Sequence, residues 1–345
     1  MKPINVGLAG YGFSGQSFHR PLLQHSKDYH IHTVLSSNEE KVRKDLEDAR
    51  VVQTLGELLQ EDIELVVITT PNHLHYRMIK QSLHAGKHVV VEKPFVTSSS
   101  EGEELISLAE EKGLLLSVFH NRRWDADFLT IKKILEEKRL GEIATYEAHF
   151  DRYRPQVKDR WKENKIEGGG VLFDLGSHLI DQALCLFGTP QWVFADVFSQ
   201  RDPDKAEDYF HIIMGYEGMR VSLNSRSMVL DPGPRYQVHG RSGSYMKYGM
   251  DRQEADLKEG LDPYSETWGQ EKESAWGTLS VADGEKVDTV KLPSEKGDYT
   301  LFYQGILDAI RNNDASPVKA AEALEVIRII EACKESSSDG KVVQL

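Results

Sequence analysis

The residues Gly10-Tyr11-Gly12-Phe13-Ser14-Gly15 follow an apolar run, Ile4–Ala9, and lead straight into a helix-like stretch. Glycines punctuate many turns, but between a strand and a helix this spacing gives each one a physical task. The first permits a tight turn, the second lets the backbone approach a pyrophosphate, and the third lets the helix pack close to the strand. Backbone N–H groups and the positive end of the helix dipole then face an anion. The spacing predicts a dinucleotide held by Gly10, Gly12, Phe13, Ser14 and Gly15. Pro21 falls well inside the expected helix and should bend or shorten it.

An NAD-specific site of this kind usually carries an Asp or Glu roughly 20 residues beyond the glycines, where it holds both ribose hydroxyls. This chain reads Leu35-Ser36-Ser37-Asn38 there. Ser36, Ser37 and Asn38 leave room for a 2′-phosphate and bring no carboxylate to repel it. Lys41 and Arg43 follow, and each is either the compensating cation or a solvated helix charge. Glu39 and Glu40 pull the other way, because a bent loop would bring one near the ribose. NADP is expected over NAD.

Further along, Thr69-Thr70-Pro71-Asn72-His73-Leu74-His75 starts a helix at the end of a strand, beside the crevice where such sheets bind ligands. Thr70, Asn72 and His75 are cofactor candidates there, with Asn72 also suited to cap the helix. His73 and His75 have no Cys or third partner at zinc spacing, so no metal is expected. Glu92-Lys93-Pro94 ends the next strand. Such a charged pair is ordinary turn chemistry by itself. At this strand end, however, Lys93 would sit beside the nicotinamide, either with a depressed pKa or as a ligand for a substrate oxygen. Pro94 fixes the turn, and a cis bond is one way to make it.

The second half supplies a matching set. Gly168-Gly169-Gly170 runs through Val171-Leu172-Phe173 into Asp174-Leu175-Gly176-Ser177-His178. Asp174 and His178 are four apart and share a helix face. A carboxylate there orients an imidazole and raises its pKa, which suits a base near neutral pH. The plainer alternative is an N-terminal helical Asp with a packed His.

The elements that must position these groups differ between the halves. From Lys2 to Arg122, strand candidates Ile4–Ala9, Ile31–Ser36, Leu65–Thr69, Val89–Glu92 and Leu114–Phe119, with a weaker Val51-Val52, alternate with helix-like Glu39–Glu47, His73–Ala85 and Glu101–Lys112. Several of the strands are apolar without period-two alternation, as expected of strands covered on both faces. Gly86 and Gly113 stand where helix C-caps belong. This is the pattern of a doubly wound parallel sheet. Beyond Trp124 come a helix at Phe128–Glu137, the stretch Ile143–Tyr153, a helix at Asp174–Phe187, and alternating strands at Trp192–Phe198, His211–Tyr216, Arg220–Met228 and Tyr236–His239. Short turns between these strands predict an antiparallel or mixed open sheet. Met250–Glu273 is polar without a period and reads as a long loop, a lid or a subunit contact. Helices at Tyr299–Arg311 and Ala320–Cys333 close the chain.

The α/β reading thus divides the sequence into a dinucleotide-binding domain, 1–122, and a second domain, 123–345, whose last helix can pack back on the first. With 345 residues, 39% hydrophobic and 28% charged, the chain is a globular protein of two domains. Its net charge of −13 argues against nucleic acid. The longest apolar run, near Leu65–Thr70, is too short to cross a bilayer. No signal-peptide pattern follows Met1-Lys2-Pro3. Cys185 and Cys333 read as two buried reduced thiols, and a cytoplasmic location is expected.

Taken together, Gly10-x-Gly12-x-x-Gly15, Glu92-Lys93-Pro94 and Asp174-x-x-x-His178 resemble the Gfo/Idh/MocA oxidoreductase family in order and spacing over almost the whole chain. The run Ser17-Phe18-His19-Arg20-Pro21-Leu22, with the missing acidic residue after the second strand, is similar to its NADP-dependent scyllo-inositol dehydrogenase branch. The resemblance implies an N-terminal Rossmann domain and a C-terminal α/β domain whose large open sheet joins chains into a homodimer or homotetramer. It implies that Lys93 and His178 carry the chemistry, that Asp174 helps bind and polarise the substrate hydroxyl, and that Asn72, Glu92 and Pro94 frame the cofactor. It also implies that the segments Arg152-Tyr153-Arg154 and Arg160-Trp161 line the nicotinamide or a polyol or sugar substrate. Two rival readings stand beside a dehydrogenase: a redox-assisted glycosidase or epimerase with tightly held NAD, and a non-catalytic NADP-binding sensor.

Overall fold

The structure is a computed structural model that describes residues 2–60 and 62–345. The chain divides into two compact units. The first comprises Met1–Asn121, Gln253–Trp268 and Asp298–Leu324; the second comprises Arg122–Arg252, Gly269–Gly297 and Glu325–Leu345. The chain therefore returns to the first unit twice after leaving it at residue 121.

The elements up to residue 121 are β1 (Ile4–Ala9), α1 (Arg20–Gln24), β2 (Tyr29–Leu35), α2 (Glu39–Arg43), β3 (Arg50–Val52), α3 (Leu55–Leu59), β4 (Leu65–Ile68), α4 (His75–His84), β5 (His88–Glu92), α5 (Ser99–Lys112) and β6 (Leu116–Phe119). The six strands pair in parallel in the order β3-β2-β1-β4-β5-β6. Every residue of β1 and β4 is buried, which is why these runs are apolar without alternation. The order reverses between β1 and β4, so the crevice at their C-terminal ends is the place where such a sheet takes a ligand. Gly86 and Gly113, with φ of 73° and 62°, follow α4 and α5, and α5 ends directly on Gly113 as its cap. Helix α2 stops at Arg43, short of the expected Glu47. The unexpected helix α3 opens on a reciprocal cap in which Thr54 and Glu57 each satisfy the other's backbone N–H.

After residue 121 the elements are α6 (Ala126–Glu136), β7 (Ile143–His149), α7 (Ser177–Phe187), β8 (Trp192–Phe198), β9 (Tyr209–Tyr216), β10 (Met219–Arg226), β11 (Tyr236–Gly240), β12 (Gly243–Lys247), α8 (Gln253–Lys258), β13 (Gly277–Asp283), β14 (Lys286–Leu292), α9 (Thr300–Asn312), α10 (Ala320–Asp339) and β15 (Val343–Gln344). Nine of these strands form the sheet of the second unit, in the order β14-β13-β12-β11-β7-β10-β9-β8-β15. Only β7 and β10 pair in parallel; every other neighbour is antiparallel. Tyr146 and Ala148 of β7, Ile212 and Met214 of β9, and Val221 and Leu223 of β10 are fully buried by period-two alternation. Helix α10 runs six residues past the expected Cys333, and its serines have work there. Ser336 Oγ and Ser337 Oγ accept from the N–H groups of Ala195 and Val197, each at 2.9 Å, on a β8 edge that short β15 does not cover.

Two expectations change. Met250–Glu273 is not one free loop: α8 lies within it, and Gln253–Trp268 belongs to the first unit. Of the two thiols, only Cys333 is buried; Cys185 is exposed, because it lies in the last turn of α7, beyond the Ser177–Ala183 stretch that is buried all round. Among the described residues, no helix is long and apolar enough to cross a membrane.

Candidate active site

The three glycines after β1 are needed for different reasons. Gly10 has φ of +109°, and a Cβ there would stand 2.9 Å from Thr69 Oγ1. That hydroxyl donates to the Gly10 carbonyl at 2.8 Å, tying the ends of β1 and β4. A Cβ on Gly15 would come within 2.5 Å of the Gly10 oxygen. At Gly12 nothing lies within 4 Å. The fold itself does not require glycine at 12; the bare backbone leaves open space of the sort a diphosphate fills, so the turn fits a dinucleotide. The chain then makes a π turn, Gly15–His19, before α1 begins. Helical backbone runs unbroken from residue 13 to 24, so Pro21 does fall inside a helix, and it stands just after the π stretch that breaks the regular α register.

Behind the turn lies a buried polar chain. Glu92, at the end of β5, accepts hydrogen bonds from the Ser14 hydroxyl and from the backbone N–H of Lys93, the latter at 3.0 Å. His19 Nε2 is 3.1 Å from the same carboxylate, and His19 Nδ1 is 2.6 Å from the Tyr303 hydroxyl. Phe119 packs on the imidazole, with ring centroids 4.3 Å apart. Burial alone would raise the Glu92 carboxyl, but the His19 hydrogen bond and charge, the Lys93 charge and the Ser14 hydroxyl outweigh it and hold it down at about 2. The residue before Lys93 is thus a fixed anion joined to the glycine turn. The Lys93–Pro94 peptide is cis.

At the ribose end, Ser36 Oγ and Asn38 N are 3.1 Å apart, and Asn38 Oδ1 accepts from Lys41 N at 2.9 Å, capping α2. Ser37 is exposed in the same turn. Of the two candidate cations, Arg43 is occupied by Glu39 and the carbonyls of Glu47 and Ala49. Lys41 instead reaches the glycine turn, with Nζ 2.9 Å from the Tyr11 carbonyl.

The histidines after β4 separate. His73 is exposed, whereas His75 is fully buried with Nδ1 2.9 Å from the Pro94 carbonyl and Nε2 2.9 Å from the Thr70 carbonyl. Both ring nitrogens face backbone carbonyls, so His75 braces the ends of β4 and β5. The Thr70 hydroxyl faces Met78 Sδ at 3.3 Å. Buried Asn72 opens a one-turn 3₁₀ helix, and α4 follows without a side-chain cap.

In the second unit, Gly170 has φ of +87°, and a Cβ there would collide with the Glu207 carboxylate. The chain next makes another π turn, Leu172–Gly176, so Asp174 precedes the regular α7 that carries His178. The expected simple four-residue helical register between them is therefore interrupted. The Asp174 carboxylate accepts from Lys162 Nζ at 2.7 Å, a partner that sequence reasoning missed because it sits in an aperiodic loop. Helix α7 is pinned one turn beyond His178: Arg123 grips both oxygens of Asp181, and Gln182 joins the Arg122 carbonyl to the Tyr236 hydroxyl. The His178 ring lies 6.3 Å from Phe150, whose face also carries the guanidinium groups of Arg235, Arg122 and Arg152 at 3.9, 5.2 and 5.8 Å. Tyr153 is half exposed and bridges to Met228. Arg160 pairs with Glu163 beside Trp161.

Strand order, reversal point and glycine turn together define a Rossmann-type dinucleotide-binding unit, here joined to a second α/β unit. Family models agree: the NAD-binding Rossmann fold of an oxidoreductase family matches residues 4–120, and the C-terminal alpha/beta domain of the same family matches residues 132–345. The chain belongs to the Gfo/Idh/MocA oxidoreductase family. It is 46% identical over 343 residues to scyllo-inositol 2-dehydrogenase (NADP(+)) IolW of Bacillus subtilis, covering 99% of this chain and 96% of that one. It is 43% identical to the uncharacterized oxidoreductase YdgJ of Escherichia coli, over 97% of this chain and 96% of the other. Among solved structures, yvaA from Bacillus subtilis superposes with a TM-score of 0.97 at 46% identity, covering 100% of this chain and 99% of that one.

Proposed function

We propose that this oxidoreductase moves a hydride between NADP and a secondary alcohol, or its ketone, on a cyclic polyol or sugar resembling scyllo-inositol. The observation that carries the reading is the 46% identity, sustained over almost the entire chain, to a relative named for that reaction. The β2 end supports the cofactor choice: Ser36, Ser37 and Asn38 offer hydroxyl and amide groups, and Lys41 is the nearby cation that reaches the glycine turn. The nicotinamide, when bound, accepts or returns the hydride.

The protein's own part is proton and charge management. Lys93 binds the substrate oxygen and stabilises the negative charge that grows as the hydroxyl proton leaves, a contribution whose loss costs on the order of 10²–10³ in rate. His178 takes that proton on an imidazole nitrogen and gives it back in the reverse direction. Asp174, with Lys162 as its counter-ion, holds a substrate hydroxyl, and Tyr153 lines the substrate. In this reading 1–122 hold the dinucleotide, and 123–345 hold the substrate and join copies into a cytoplasmic homodimer or homotetramer.

The test is a screen that follows reduced nicotinamide by absorbance, with NAD and NADP against inositols, hexoses and their ketones. NADPH formation with an inositol supports the proposal. Sugar release with no net change in cofactor, or no turnover with any polyol, overturns it.

A further inference from the structure

The segment Gln253–Trp268 crosses back to the dinucleotide unit and is fastened there along its length. Gln253 is completely buried, and its Oε1 accepts from Trp268 Nε1 at 3.0 Å and from the Tyr299 N–H at 2.8 Å. The Tyr264 hydroxyl donates to the Leu22 carbonyl at 2.9 Å, and His25 Nδ1 is 3.2 Å from Asp262. Helix α8 itself packs on the π turn Gly15–His19. None of these contacts extends either sheet. They position a short helix against the end of the glycine turn.

At the end of that helix, Lys258 Nζ stands 5.1 Å from the centroid of the Phe13 ring. Phe13 lies between the second and third glycines and is 57% exposed, an unusual place for an aromatic ring unless something covers it. The turn Gly10-Tyr11-Gly12-Phe13-Ser14-Gly15 contains no cation of its own, in a chain whose net charge is −13. Lys258 is meanwhile held by Glu254 on the preceding helical turn, at 2.5 Å. A lysine on a flexible four-carbon stem can leave a surface carboxylate for a stronger anion without moving its helix.

We propose that Lys258 is a ligand for the diphosphate of the bound dinucleotide, and that Glu254 holds its ammonium in readiness when no dinucleotide is present. The inference rests on a dinucleotide occupying the glycine turn and is independent of the substrate and of NADP preference. A diphosphate is common to NAD and NADP, so the contact strengthens both equally.

The test is direct binding of NADPH and NADH to the parent protein, K258A, K258R and E254Q, by calorimetry at two salt concentrations. K258A is expected to weaken both nucleotides by a similar factor, about tenfold, with a shallower salt dependence, and K258R to recover most of it. E254Q, which keeps the lysine and frees it, is expected to tighten both. Unchanged binding in K258A, or a loss confined to NADPH, overturns the proposal. Equal weakening in K258A and E254Q also overturns it, because that would assign the pair a purely structural role. Failure of the dinucleotide reading looks different: the parent protein itself binds neither nucleotide, and the inference falls with it.

Discussion

The imidazole of His19 lies 3.1 Å from the carboxylate of Glu92, and both are shut away from water. The contact joins the helix after the glycine turn to the residue that precedes Lys93. Through two side chains it ties the segment after the glycine turn to the backbone of Lys93, the ammonium proposed to bind substrate. The Glu92 carboxyl is held at about 2 against an ordinary 4.5. The stability it contributes is therefore complete above about pH 4.5 and is lost as pH falls through about 2. Glu92→Gln should be less stable than the parent near neutral pH, and the gap should close as the solution is acidified toward pH 2. Denaturant melts across that range check it; a gap independent of pH would show that Glu92 is not the ionised partner.

Alanine at each of the three glycines should separate folding from binding. Gly12→Ala meets nothing within 4 Å, so its melting temperature should stay close to that of the parent while dinucleotide affinity falls at least about tenfold. Gly10→Ala carries a φ of +109° and a clash with Thr69, and should cost about 1–3 kcal/mol of stability before any ligand is added. Thermal unfolding with and without NADPH distinguishes the two.

A carboxylate at the end of β2 should turn the cofactor choice around. Ser36→Asp keeps an acceptor for the Asn38 N–H, so the turn can survive, while its charge opposes a 2′-phosphate. We expect kcat/KM with NADP to drop about tenfold or more and that with NAD to hold or rise. Lys41→Ala should weaken NADP selectively. Equal losses with both cofactors would place the 2′-phosphate elsewhere.

Lys93→Ala and His178→Asn should each lower kcat by about 10²–10³, with dinucleotide affinity within about threefold of the parent. Stopped-flow turnover together with a binding titration checks this. Near-normal turnover in either variant removes that residue from the chemistry.

Much of this arrangement was legible in the sequence because it is written locally. Buried parallel strands leave apolar runs, Gly113 stops α5 in the left-handed region, and Gly10, Glu92 and Asp174 announce themselves by neighbours a few residues away. What escaped depends on distant partners or on a lost period. Strand β14 is exposed along nearly its whole length, so its residues do not alternate. Lys247 in β12 is fully buried against Glu271, a pairing no hydropathy pattern shows. The π turns at Gly15–His19 and Leu172–Gly176 have no compositional signature, and they interrupt the early turns of two helices. No local pattern shows that the neighbours of His75 are the Thr70 and Pro94 carbonyls. The segment around α8 looked formless since what organises it is Leu22, His25 and Tyr299.

The double return of the chain also governs when the nucleotide-binding half can be finished during synthesis. A nascent polypeptide that has reached Asn121 already contains all six parallel strands. It still lacks Tyr303, which is buried against His19, Phe302, which lies 4.9 Å from Phe119, and Val318, whose carbonyl takes the Ser117 hydroxyl at 2.8 Å. Those residues emerge from the ribosome only after most of the second half has been made. Until then aromatic and polar surface on the first half stays uncovered, and a gene fragment cut at the apparent border would encode an incomplete body. A transplantable version of the nucleotide-binding half would have to carry Gln253–Trp268 and Asp298–Leu324 with it.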